Sequence, residues 1–192
     1  MAPMAQNQTQ EIPVPRGATD DRTGVAVGTG PVDVHAYIDF QCPFCRQFEL
    51  ASGDSIDMLI DRQIIRFVRH PMNFLDAAST THYSTRAAAA AAAASDAGRL
   101  HEYARALFEY QPPEGGPGLT DEELINLGQI IGVTDPSFPG EIRQGRYIPW
   151  PGFVTERALA RGVGGTPTVF VQGEPIPARP DLIVAAVERV AG

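Results

Sequence analysis

"IDFQCPFCRQFE", Ile38 to Glu49, holds both cysteines of the chain, Cys42 and Cys45, with Pro43 and Phe44 between them. An alternating apolar run, Val32, Val34, Ala36, Ile38 and Phe40, leads into this stretch and predicts a strand with one buried face. Beyond it, Phe48, Ile56, Leu59 and Ile60 recur at helical spacing, and Pro43 suits the first turn of a helix. The two thiols are therefore expected where a strand ends and a helix begins.

Cys-x-x-Cys has three physical uses, and spacing alone leaves them open. A zinc site needs about four ligands. There is no second cysteine pair, and His35, His70, His82 and His101 are scattered without metal-ligand spacing. A structural staple across two residues removes little loop entropy from the unfolded chain. Redox exchange fits the position best, because unpaired N–H groups and the positive dipole end at a helix start favour a thiolate. Cys42 is then the expected exposed nucleophile, with Cys45 shielded one turn in. Glu49, a further turn along the same face, is a candidate proton relay, with a solvated carboxylate as the plain alternative.

Outward from this stretch, Val25–Gly28 and Val32–Phe40 read as strands, and Gln63–Pro71 as a third. The alanine-rich stretch Thr81–Gly98 and the segment Arg99–Gln111 read as helices, the first as a buried one that neighbours approach closely. Pro112–Gly118 breaks the chain. Thr120 and Glu123 then have the spacing of a capping box that opens another helix. One more helix is expected from Pro149, a strand over Thr168–Val171 with a short second strand after Gln172-Gly173, and a closing amphipathic helix from Pro180. Phe138, Tyr147, Trp150 and Phe153 read as core packing, with a peptide groove as the alternative. His35 reads as a strand-face or core histidine.

The 192-residue chain has 43% hydrophobic and 20% charged residues, an ordinary composition for a globular protein. Its net charge of −8, with no arginine cluster, argues against nucleic acid as a partner. No apolar run approaches the roughly 20 residues of a membrane span. Met1–Gly17 has neither a basic start nor an apolar centre and does not read as an intact signal peptide.

"DFQCPFCRQFE" followed far downstream by "GVGGTPTVFVQG" (Gly162–Gly173) resembles the thioredoxin superfamily. Within it the chain is most similar to the DsbA-like thiol–disulfide oxidoreductases, in the bacterial extracytoplasmic branch with a DFxCPxC signature. The resemblance covers residues 25–192, and the long interval from Cys45 to Pro167 fits it. It implies an α/β thioredoxin fold, a central mixed sheet flanked by helices, with an inserted α-helical subdomain. The implied layout is a flexible tether over residues 1–24, a first half with CPFC over 25–74, a helical insertion over 75–160, and a second half with a cis-proline loop over 161–192. It also implies that Cys42 is the nucleophile, Cys45 the resolving cysteine, and Thr166-Pro167 the cis-proline loop that offers main-chain groups to an extended substrate. Pro43 and Phe44 complete the expected substrate contacts.

The implied activity is the introduction of disulfides into unfolded or partly folded exported proteins. The Cys42–Cys45 disulfide is the redox group, no organic cofactor or metal is required, and a membrane reoxidase of the DsbB or VKOR type renews it. The implied location is extracytoplasmic, periplasm or cell envelope, with any signal or anchor lying outside these residues. Two positions depart from the family pattern. Ala36 stands six residues before Cys42, where the family carries a buried acid, so Asp39 or Glu49 would have to substitute. Phe44 stands where the DsbA motif has histidine and cannot itself favour a thiolate. Two alternatives remain: a reductase or isomerase running the exchange in reverse, and a thioredoxin-fold chaperone or binding module with an idle disulfide.

Overall fold

The computed structural model describes residues 11–192. The alternating run before the cysteines forms β2 (Val32–Ile38), and Val32, Val34, Ala36 and Ile38 are all buried. It is the middle strand of a five-stranded sheet of order β1-β3-β2-β4-β5, with β1 at Val25–Val27, β3 at Ile65–Pro71, β4 at Thr168–Val171 and β5 at Glu174–Ile176. β2 pairs parallel with β3 and antiparallel with β4, so Val34 lies between Phe67 and Val171. β1 and β5 close the two edges as antiparallel partners of β3 and β4. A parallel β2–β3 pair requires a crossover, and α1 (Pro43–Asp61) supplies it. Its inner face presents Cys45, Phe48, Glu49, Ser52, Ile56 and Leu59, which follow the 3.6-residue period.

The remaining helices are α2 (Tyr83–Asp96), α3 (Leu100–Glu109), α4 (Asp121–Ile130), α5 (Phe138–Arg143), α6 (Pro149–Ala160) and α7 (Pro180–Ala191). Every alanine from Ala87 to Ala94 is buried, and α2 packs against α3, α4, α5 and α6. Methyl side chains let four neighbours approach one helix without a bulky stripe on any side. The capping box forms: the Thr120 hydroxyl accepts from the Glu123 N–H at 3.2 Å, and the Glu123 carboxylate accepts from the Thr120 N–H at 2.7 Å. Phe138, Tyr147 and Trp150 are core residues, and the Trp150 indole N–H donates to the Arg22 carbonyl at 2.8 Å. His35 lies on the sheet, its Nδ1 2.8 Å from Nε2 of His70, whose ring stacks on Tyr37.

Three expectations change. Residues 1–10 of the expected tether lie outside the described residues, but residues 11–24 do not behave as a tether. Ile12 and Val14 pack on the core, the Arg16 N–H donates to Asp96 and the Ser95 hydroxyl donates to the Arg16 carbonyl, and Ala18 bridges to Val25. Polar composition concealed these anchors, because the apolar side chains there are isolated and the hydrogen bonds are made by main chain. The short helix α5 was not expected at all. The last helix of the expected 75–160 insertion, α6, packs on β3 as well as on α2, so it touches the sheet besides the helical block.

Candidate active site

Cys42 is the N-cap of α1, with φ −73° and ψ 119°, and Pro43 occupies the first turn. Its N–H donates to the Asp39 carbonyl at 3.0 Å, which folds the end of β2 sharply into the helix. The Thr166–Pro167 bond is cis, and the Thr166 carbonyl accepts from the Cys42 thiol at 3.4 Å. The chain ends of β2 and β4 thus bring together residues far apart in sequence. Both cysteines are free thiols. Cys45 is wholly enclosed, and its Sγ accepts from the Asp39 N–H at 3.5 Å. Cys42, expected to be exposed, is only 4% so, because the Thr166 loop lies over it. Pro43 and Phe44 face solvent, Phe44 with 66% of its surface, while Thr166 and Pro167 are half-buried.

The two thiols are electrostatically unlike. Cys42 is pushed down from 9.0 to about 6, chiefly by the hydrogen bond from the Cys45 thiol, with help from the Phe44 and Cys45 N–H groups and against the effect of burial. Burial pushes Cys45 up, and a Cys42 thiolate beside it adds to the rise. One thiol is ready to ionise near neutral pH and the other holds its proton.

Glu49, the candidate proton relay, sits in a buried ion pair. Its two oxygens accept from both terminal nitrogens of Arg69 at 2.7 and 2.9 Å, and both side chains are buried. Burial alone would raise this carboxyl, but Arg69, with His101 and Arg105 beyond it, outweighs burial and holds it below the usual value. A carboxylate that stays ionised and forked onto a guanidinium is an anchor.

Asp39 is the buried acid nearest the thiols in the chain. One carboxylate oxygen accepts from the Gln41 N–H at 2.9 Å and the Ser84 hydroxyl at 2.7 Å, and the other accepts from the Leu75 N–H at 2.8 Å. Burial pushes it up to about 6 in spite of those three donors.

Sequence reasoning missed two glutamines that shape the turn. Gln111 donates to the carbonyls of Phe40 and Cys42 at 2.9 and 3.0 Å. Gln41 donates to the Leu75 carbonyl and Ser84, and accepts from the Gly115 N–H. Gln111 ends the segment read as a helix, next to the chain break, and nothing in a single sequence ties it to the cysteines. Among the described residues, no group of three or more His, Cys, Asp or Glu side chains is placed to hold a metal.

A strand-to-helix dithiol facing a cis-proline loop on a five-stranded mixed sheet defines a thioredoxin-fold dithiol protein. Residues 21–189 match the family model described as Thioredoxin, and the chain belongs to that family. It is DsbA-like: the oxidised DsbA structure from Mycobacterium tuberculosis shares 32% identity, with a TM-score of 0.78, over 88% of this chain and 93% of that one. The reduced disulfide bond oxidoreductase DsbG of the same organism shares 31%, with a TM-score of 0.76, over 92% and 86%. MdbA, a thiol-disulfide oxidoreductase from Actinomyces oris, shares the fold at 21% identity and a TM-score of 0.77, over 97% and 96% of the two chains. A curated relative, the Na(+)/H(+) antiporter NhaA 3 of Salinispora tropica, is 30% identical over 144 residues, 74% of this chain. The chain spans about a fifth of that relative's length, 20%.

Proposed function

We propose that the protein is a dithiol–disulfide oxidase that passes the Cys42–Cys45 disulfide to unfolded exported proteins outside the cytoplasm. The observation that carries this reading is the asymmetry of the pair: a helix-capping Cys42 pushed down to about 6 above an enclosed Cys45 that is pushed up. A substrate thiolate attacks Cys42 Sγ and the Cys42–Cys45 bond breaks, so Cys45 leaves with the electron pair and takes a proton. Asp39, buried and pushed up to about 6, is the candidate source of that proton, relayed through one water, in place of the acid missing at Ala36. A second substrate thiolate then attacks the substrate sulfur of the mixed disulfide. The substrate disulfide forms and Cys42 departs as a thiolate. Thr166 and Pro167 form one wall for the extended substrate, and the exposed Phe44 ring beside Pro43 offers an apolar contact. A membrane reoxidase of the DsbB or VKOR type removes the two electrons, and the Cys45 proton returns to Asp39.

Stabilising the Cys42 thiolate stabilises the reduced enzyme, which makes the disulfide the better oxidant. Redox titration against glutathione, read by thiol alkylation and mass, is expected to place the pair between about −180 mV, the value of protein disulfide isomerase, and about −120 mV, that of DsbA. A value near the roughly −270 mV of thioredoxin would overturn the oxidase direction in favour of a reductase. Loss of disulfide transfer to a reduced unfolded substrate is expected in Cys42→Ala. Retained biological activity in that variant would leave a binding module as the reading.

A further inference from the structure

α1 begins without a side-chain cap. A serine or aspartate at an N-cap fixes the entry turn of a helix by accepting from the free N–H groups of its first turn. Here Cys42 holds the N-cap position, and the Phe44 and Cys45 N–H groups serve its thiolate instead. The turn then has to be held from outside, through atoms that the thiolate does not use.

The C-terminal end of α3 provides that hold. Gln111 Nε2 donates to the Phe40 carbonyl at 2.9 Å and to the Cys42 carbonyl at 3.0 Å, one on each side of Gln41. Both acceptors are carbonyl oxygens, so only the amide nitrogen can meet them, and both of its hydrogens are engaged there. The Cys42 carbonyl also accepts from the Arg46 N–H at 3.2 Å, the first hydrogen bond of α1, which its two lone pairs allow. Arg46 Nε in turn donates to the Phe108 carbonyl at 2.9 Å, and the Phe108 ring lies 5.1 Å from that of Phe40. The end of α3 is thus joined to the dithiol turn at several points, none of which takes an N–H group from Cys42 Sγ. That sulfur has to meet the Thr166 carbonyl at 3.4 Å, the Cys45 thiol and two N–H groups at once. Hydrogen bonds weaken steeply with misalignment, so freedom in the peptide planes beside Cys42 would be felt as lost thiolate stabilisation.

We propose that Gln111 is a positioning residue for the dithiol exchange: it pins the carbonyls of Phe40 and Cys42 and so aims the first turn of α1 at the Cys42 sulfur. This role rests on the reactive thiolate of the proposed oxidase. Gln111→Met keeps the length of the side chain and removes both donors. In the reduced full chain, the Cys42 alkylation midpoint of this variant is expected about one pH unit above the wild-type value of about 6. At pH 8 its ratio of dithiol to disulfide in a fixed glutathione buffer is expected to fall about tenfold, equivalent to about 30 mV. Thr120→Ala, which loses the α4 capping box, is expected to lower Tm and to move neither readout. An unchanged midpoint and redox equilibrium in folded Gln111→Met would overturn the proposal. So would equal shifts in Thr120→Ala, which would trace them to lost stability. A measurement on the wild type is independent of how the variant folds: the Gln111 side-chain amide resonances are expected to titrate with Cys42, and signals fixed from pH 5 to 8 would also overturn the role. Each variant is compared with the wild type, so the outcome stands whether the wild-type potential falls in the oxidase or the reductase range.

Discussion

Cys42 owes its character to neighbours that a sequence can half reveal. The helix start was legible from Pro43 and the apolar spacing behind it, and that alone argued for a thiolate. Phe44, which supplies no charge or side-chain hydrogen bond, left open how strong the effect would be. The structure answers through the Cys45 thiol, the main favourable contact of Cys42, and through the N–H groups of Phe44 and Cys45. With a pKa of about 6, the thiolate is favoured at pH 7 by one unit, about 1.4 kcal/mol, which is about 30 mV on a two-electron couple. Alkylation of the reduced protein by iodoacetamide should therefore rise with pH to half its maximum near 6 for Cys42. Cys45 should stay unreactive through that range. A single rise near the ordinary thiol value of 9.0 would contradict this account of the site.

Glu49 and Arg69 show how one pair joins two elements. On α1 the glutamate follows Cys45 by a helical turn, which is why sequence spacing made it a relay candidate. On β3 Arg69 shares a face with Phe67, and its guanidinium lies 4.9 Å from the centre of that ring. Only the packing of α1 over β3 brings the two charges together in a buried fork, a meeting that no local pattern encodes. Glu49→Ala would leave a buried guanidinium without its carboxylate. It should cost about 3–5 kcal/mol of stability in urea unfolding. The alkylation midpoint of Cys42 should not move, whereas a proton relay at this position would shift it. Helices with clear signals formed where expected, from the Thr120–Glu123 capping box to the alanine run. The six-residue helix α5 escaped because it is too short to show a period, and it rests on packing against α2 and α4.

Across the whole molecule, the redox state of one pair sets a pH-dependent part of stability. The Cys42 thiolate exists only in the reduced protein, and its folded pKa of about 6 lies below the 9.0 of an unperturbed thiol. A depressed pKa contributes its full stability above the unfolded value and loses it as pH falls through the folded one. The Tm of the reduced protein minus that of the oxidised protein should therefore shrink as pH is lowered from 9 towards 6, and level off below that. A difference independent of pH would count against a thiolate at Cys42. Asp39 links this centre to the helical block, since its carboxylate holds Leu75 and Ser84 while its main chain meets both cysteines. By itself the sequence determined the strand–dithiol–helix unit and the presence of a helical block, while the Thr166-Pro167 loop was what the family resemblance implied. Periodicity, proline placement and helix-end electrostatics are local and act within a few residues. Tertiary structure alone decided that Cys42 is covered by Thr166, that Glu49 is forked onto Arg69, that Asp39 is buried beside the dithiol turn, and that residues 11–24 are bound to the body. Each of these depends on burial and on partners tens of residues away, and those exist only once the chain has packed.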